Sequence, residues 1–187
     1  MKNYRWLLAV ALAVIIVLGF WIWRRTEPPR EIDLITAYET AEKRSSLPVA
    51  QAFRITSATI ENEEKRGIFM HPESRLIFKV TLPENAWLRT SLAILPKAWE
   101  NKSSDGVLFR MGISDGRKYD ELLNQHVNPR AVVEDRRWIP VAVDLSAYAG
   151  QQVDLILNTN SSPPRRPGNS AADHAFWAEP RVTADTR

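Results

Sequence analysis

The chain contains no cysteine, and its three histidines, His71, His126 and His174, are scattered through 187 residues. The first absence excludes a disulfide scaffold, thiolate metal sites and a cysteine nucleophile, while leaving the redox compartment open. The histidines fall in no HExxH or other close metal-ligand spacing. No phosphate loop, dinucleotide fingerprint or internal repeat is present, and no residue set calls for a cofactor. A basic folded face is missing as well. Residues 1–30 hold Lys2, Arg5, Arg24, Arg25 and Arg30 against Glu27, so the rest of the chain has 20 basic and 21 acidic side chains, a net of −1. The overall +3 therefore belongs to the N-terminal segment, and a nucleic-acid partner is not expected.

What is present first is an apolar run. From Trp6 to Trp23 the chain reads WLLAVALAVIIVLGFWIW. At about 1.5 Å per residue, such a helix matches the hydrocarbon thickness of a bilayer. Tyr4 and Trp6 flank one end, and Trp21, Trp23, Arg24 and Arg25 flank the other, as membrane-interface anchors. A cleaved signal peptide would have a shorter apolar core and a small-residue cleavage site. The expectation is an uncleaved single-pass anchor over residues 1–25 in a bacterial inner membrane, with the N-terminus cytoplasmic and the remainder periplasmic. Basic residues on both sides make charge a poor guide to that orientation. The run carries no His or charged residue, so it lacks side chains for ligating haem or chlorophyll or for relaying protons.

Thr26-Glu27-Pro28-Pro29 gives a stiff exit from the run. Residues 30–45 place Ile32, Ile35 and Tyr38 at helical spacing, with acids early and Lys43-Arg44 late, predicting a short stalk helix within a linker over residues 26–52. The period then changes to two. Candidate strands are Phe53–Thr56, Arg75–Leu82, Trp87–Ile94, Val107–Ile113, Trp138–Leu145, Val153–Asn158 and Ala175–Val182, separated by turn signals. Short strands at roughly ten-residue spacing predict a mostly β chain, an antiparallel β-sandwich. The stretch from Asn158 to Ala172 has no apolar period, and is either surface irregularity or a binding loop led by Arg165 and Arg166.

Three segments carry a resemblance: Gly67-Ile68-Phe69-Met70-His71-Pro72 leading into Arg75–Leu82, Arg137–Gln151, and Ala172-Asp173-His174-Ala175-Phe176-Trp177-Ala178-Glu179-Pro180-Arg181-Val182. Residues 53–183 resemble the galactose-binding-like jelly-roll superfamily, close to its novel carbohydrate-binding modules, with 184–187 as a tail. The resemblance implies a jelly-roll fold on an exported, non-catalytic domain, and it carries the expected orientation. It does not fix function, because one jelly roll hosts many. Asp173 and His174 read either as a buried polar pair pinning the long loop or as ligand-facing groups. Asp173 and Glu179 are weak calcium candidates. Tyr148 is expected to pack at a corner with its hydroxyl on a backbone partner.

Catalytic patterns are weak. Gly112-Ile113-Ser114-Asp115-Gly116 matches the nucleophile-elbow pattern, and Asp135 or Asp144 and then His174 follow in order, but the elbow needs a strand-to-helix turn. Asp120-Glu121 and Glu134-Asp135 lie among basic residues, as a solvated charged surface does. No catalytic set emerges, and a non-enzyme is expected.

Two functions remain. In the first, the protein is a membrane-anchored accessory or scaffold subunit whose sandwich contacts protein partners in a membrane complex, electron-transfer or photosynthetic assemblies being natural hosts. In the second, it is a membrane-tethered carbohydrate-binding module at the cell envelope. A glycan site requires an exposed aromatic beside convergent polar groups, for which Trp99 and Tyr119 are the candidates; Trp138 and Trp177 lie in core-like strands.

Overall fold

Alternation of apolar and polar residues becomes antiparallel strand pairing in the computed structural model, which describes Leu12, Val14 and residues 30–102, 104–161 and 174–185. The strands are β1 (Glu31–Asp33), β2 (Glu42–Ser45), β3 (Phe53–Ile60), β4 (Glu63–Met70), β5 (Ser74–Thr81), β6 (Ala86–Ile94), β7 (Val107–Ser114), β8 (Tyr119–Val127), β9 (Ile139–Asp144), β10 (Gln152–Ser161) and β11 (Ala175–Ala184). The first sheet runs β3-β4-β11-β6-β9, with β1 also on β11; the second runs β2-β5-β10-β7-β8. The expected antiparallel sandwich is present.

Period two decides what lies between the sheets. Leu76, Phe78 and Val80 of β5 and Val153, Leu155 and Leu157 of β10 point inward, opposite Leu88 and Leu92 of β6 and Trp177 of β11, in one continuous core. Trp177 is fully buried, and its ring meets Phe109 edge-on with centroids 5.4 Å apart. The first sheet also carries a second apolar cluster on its outer face: Phe69, Ala93, Phe176 and Ala178, closed over by Trp138. Trp138 reaches across the sheet, its Nε1 donating to the Glu63 carbonyl at 3.0 Å and its ring 5.7 Å from that of Phe176. Gly67 makes this closure fit. A Cβ there would lie 2.3 Å from the Trp177 carbonyl oxygen and 2.5 Å from the Phe176 ring.

The seven expected strands all form, but residues 30–45 do not make a stalk helix. They form β1, one 3-10 turn (Thr36–Thr40) and β2, and both strands join the sandwich. The cause is Asp33, whose carboxylate accepts from the Ile35 amide and the Thr36 hydroxyl at 2.8 Å each, turning the chain where a helix would start. Leu34 and Tyr38 then enter the core. Lys43, assigned to a helix C-terminus, instead donates to the Tyr38 carbonyl and lies 4.1 Å from the centre of its ring. Strands β4 and β8 were not expected; the Gly67–Pro72 segment reads as a lead-in but its first four residues complete β4.

Among the described residues no helix is long and apolar enough to cross a membrane. Tyr4, Trp6, Trp21, Trp23, Arg24 and Arg25 lie outside the described residues, as do Arg165, Arg166 and Asp173.

The inclusion of β1 and β2 has a measurable consequence. A version beginning at residue 53 removes the buried Leu34 and Tyr38 and uncovers β5 and part of β11. Burial of two such side chains contributes roughly 3–6 kcal/mol. Its urea midpoint is expected to fall well below that of a version beginning at residue 30; equal midpoints would mean that the segment is only a linker.

Candidate functional site

The outer face of the second sheet differs from that of the first because among the described residues no apolar cluster closes it. Cross-strand register sets one polar row over all five strands: Arg44 on β2, Arg75 on β5, Asn158 on β10, Arg110 on β7 and Asn124 on β8. Beside it runs a second row of Glu42, Ile77, Ile156, Gly112 and Glu121. Ile77 and Ile156 are each only 6% exposed although neither belongs to the core clusters, so they floor this face.

The row is cross-linked. Arg75 Nε donates to Asn158 Oδ1 at 2.6 Å, a pair 83 residues apart in sequence. Arg110 donates to Glu121 Oε2, and Asn124 Nδ2 to Glu121 Oε1 at 2.8 Å. Asn124's amide, and then Arg110's guanidinium, hold the Glu121 carboxyl below the ordinary carboxylate range. Arg44 is held on Glu42 at 2.6 Å. Arg44 and Arg75 nevertheless stand directly opposite one another, an arrangement that costs stability in the absence of a ligand.

Tyr119 supplies the aromatic surface. It is 42% exposed and its ring rests on Gly112, where a Cβ would come within 2.5 Å of it. A β-bulge at Met111/Gly112 shifts the register of β8, so that Tyr119, Glu121 and Asn124 are all exposed while Leu122 and Leu123 both pack inward. Partial burial raises the phenol's pKa, so the ring is neutral at physiological pH.

A cleft of about 330 Å³ opens at the other side of the row, lined by Arg44, Glu73, Arg75, Asn158 and Asn160. Glu73 accepts from Asn160 Nδ2 at 3.0 Å and from the Ser161 amide at 2.8 Å. A carboxylate can only accept from that amide, which fixes which end of the Asn160 side chain is oxygen. That oxygen, Oδ1, is buried with no partner. Leaving that acceptor unpaired costs stability.

The structure separates the other residues singled out from sequence. Trp99 is half-buried against both clusters, its Nε1 donating to the Ile94 carbonyl at 2.7 Å and the Arg136 guanidinium 5.7 Å from its ring centre. It therefore does not form a free shelf. Glu179 sits in the irregular stretch between Ala178 and Arg181 at φ 47°, its carboxylate 3.7 Å from Lys65 Nζ. Among the described residues no group of three or more His, Asp or Glu could hold a metal. Ser114 ends β7 in an antiparallel hairpin, its hydroxyl accepting from the Gly116 amide at 3.1 Å, which is not the strand-to-helix geometry of a nucleophile elbow. Asp120 and Glu121 lie on β8 rather than in a loop. The Tyr148 hydroxyl donates not to backbone but to Asp120 Oδ2 at 2.9 Å. His174 lies on the first sheet, away from the polar row.

No protein-family profile matches the chain. A protein of Archaeoglobus fulgidus, described only as uncharacterized, is 36% identical over 129 residues, covering 66% of this chain and 32% of that protein. The chain thus spans about a third of that relative's length. Among solved structures, a CBM51 from a Clostridium perfringens GH95 protein, in complex with methyl-galactose, matches with TM-score 0.52 at 14% identity, over 82% of this chain and 99% of that one. The CBM51-2 and INT domains of Clostridium perfringens ZmpB, with GlcNAc, match with TM-score 0.54 at 19% identity, over 83% and 32%. TmCBM61 with β-1,4-galactotriose matches with TM-score 0.52 at 10% identity, over 82% and 94%. The chain therefore shares the antiparallel β-sandwich fold of these solved modules.

The carboxylates of the second sheet give a pH signature. Asp120 is held below the ordinary range by Lys118 and then Tyr148, and Glu121 by Asn124 and Arg110. A depressed folded-state pKa adds stability above the unfolded value of about 4, which is lost as pH falls through the folded value. Asp120→Asn with Glu121→Gln is expected to lower the melting temperature at neutral pH and to flatten its decline below about pH 4. Parallel melting curves for variant and parent would contradict these pairings.

Proposed function

We propose that the sandwich is a carbohydrate-binding domain, with its glycan seat on the outer face of the second sheet. The observation that carries this reading is Tyr119 lying open on Gly112, beside a fixed row of Arg75, Asn158, Arg110 and Asn124. A sugar ring has an apolar C–H face, which stacks on an aromatic, and a rim of hydroxyls that both donate and accept. Planar side chains held in place by one another offer those hydroxyls pre-oriented partners at little ordering cost.

The chemistry favours a neutral sugar. Arg44 and Arg110 are each already on a glutamate, so the face presents hydrogen bonds more than net charge. The solved modules sharing the fold were captured with methyl-galactose, GlcNAc and β-1,4-galactotriose, which supports a glycan reading over that of an accessory subunit in a membrane assembly. The apolar run from Trp6 to Trp23, with its aromatic and basic flanks, supports tethering of this domain to a membrane, and the resemblance to exported modules, not the flanking charge, supports placing the sandwich on the outer side.

Two experiments test the reading. The full chain in mild detergent is expected to bind neutral galactosides or N-acetylhexosamines on a glycan array, and Tyr119→Ala to weaken that binding about tenfold or more while keeping the melting temperature. Unchanged binding in Tyr119→Ala would place the seat elsewhere; a parent that captures no glycan would remove the proposal. For the tether, protease added to intact spheroplasts is expected to digest the sandwich, and protection until lysis would reverse the orientation.

A further inference from the structure

At the edge of the first sheet lies a corner with the opposite electrostatic character. Arg54 and Thr56 of β3, Lys97 of the 3-10 turn Pro96–Ala98 and His174 at the start of β11 line a depression of about 380 Å³. Its remaining described walls are Ser57, Ala58, Thr59, Leu95 and Pro96, so among the described residues no acidic side chain lines it. Phe69 organises the basic groups. The Arg54 guanidinium lies 4.1 Å from the centre of its ring, and the His174 ring meets it edge-on at 5.7 Å. Among the described residues neither Arg54 nor Lys97 has a carboxylate within salt-bridge distance.

His71, just beyond β4, holds its proton on Nδ1 because that nitrogen lies 2.8 Å from the Pro72 carbonyl oxygen, which can only accept. Burial, and then the charges of Arg54, His71 and Lys97, push the His174 imidazole below its ordinary pKa. In a domain of net charge −1, three convergent basic side chains with no opposing carboxylate among the described residues favour an anionic partner.

We propose that this corner is an oxyanion-binding site for a carboxylate, sulfate or phosphate group, taken either as a free ion or as a substituent of an acidic sugar. Arg54 would present its planar fork, held by Phe69; Lys97 a mobile point charge; His174 a ring N–H donor; and Thr56 or Thr59 a hydroxyl. The site is separate from the polar row, on the other sheet, and does not depend on it. Binding is linked to protonation. An anion beside the imidazole favours its charged form, so His174 takes up a proton as the anion enters. Affinity therefore rises as pH falls through the bound-state pKa of His174 and levels off below its free-state value.

The test uses the full chain in mild detergent with isotopically labelled histidine, following the His174 ring signals by NMR against pH. Sodium sulfate, sodium phosphate and glucuronate are the probes, glucose the neutral control, and chloride fixes the ionic strength. The expected result is a saturable upward shift of the His174 pKa with at least one anion and none with glucose. Lys97→Gln is expected to weaken that anion about tenfold, and Arg54→Gln at least as much. Binding of glucuronate marks an acidic-sugar site, and binding of sulfate or phosphate alone marks a free-ion site. No shift with any anion, or an undiminished shift in Lys97→Gln, overturns the proposal, since the exposed Lys97 can be replaced without disturbing Phe69. Because Tyr119→Ala leaves this corner intact, failure here and failure of the glycan seat are read separately.

Discussion

The burial of β11 on both faces is the constraint from which the rest of the sandwich follows. Trp177 points between the sheets and meets Phe109 of the second sheet, while its neighbour Phe176 points the other way and is also fully buried. A strand enclosed on both sides needs cover on the second side, which Trp138 provides by reaching over to the Glu63 carbonyl. It also needs a neighbour without a side chain, hence Gly67 under Phe176. The irregular stretch between Ala178 and Arg181 falls where pairing with β4 ends and pairing with β1 begins, so one interruption lets a single strand serve two partners on the same edge. The arrangement has a cost: the indole nitrogen of Trp177 is buried with no hydrogen-bond partner.

The second sheet repeats the device with a different outcome. Tyr119 rests on Gly112 as Phe176 rests on Gly67, an aromatic ring lying on the bare backbone of the neighbouring strand. In the first sheet a tryptophan seals the ring in; in the second no described residue does, and the ring is a tyrosine left 42% exposed. Around Phe176 the neighbours are apolar, whereas around Tyr119 they are guanidinium, amide and carboxylate groups bound to one another. The same local geometry thus builds a structural closure on one face and an open, pre-organised surface on the other. That contrast within one molecule is a stronger argument for a ligand than exposure of an aromatic residue alone, since isolated exposed aromatics are common.

Legibility of the sequence followed the range of the interactions. Strands such as Arg75–Leu82 and Val107–Ile113 declare themselves by period two, because their burial pattern is set locally. Residues 30–45 misled because Ile32, Ile35 and Tyr38 fit a helix equally well; the outcome was decided by Asp33 capping its own turn and by β11 and β5 offering edges to pair with. Strand β8 was hidden by its bulge, which puts Leu122 and Leu123 side by side and breaks the alternation. Tyr119 could be named from sequence as an aromatic outside the strong strands. Its polar companions could not, because Arg75 meets Asn158 only through the pairing of β5 with β10. Asn160 is a similar case: its significance is an empty acceptor position, which no residue pattern encodes.

Charge illustrates the same point at a larger scale. The near-neutral total of residues 31–187 argues against a nucleic-acid surface, yet a sum conceals how its terms are arranged. On the second sheet Arg44 and Arg110 are matched locally by Glu42 and Glu121 and Arg75 is held by the Asn158 amide, and matched charges act as rigid hydrogen-bond donors. At the edge of the first sheet Arg54, Lys97 and His174 converge without such matching among the described residues, and there the charge itself is what is presented. Neutral hydroxyls and oxyanions are distinguished by this difference. A donor whose charge is already balanced gains little more from an anion than from a hydroxyl, whereas an unbalanced cluster gains much more. Two surfaces built from the same few residue types would therefore select different ligands, and the selection depends on where the carboxylates are placed rather than on how many there are.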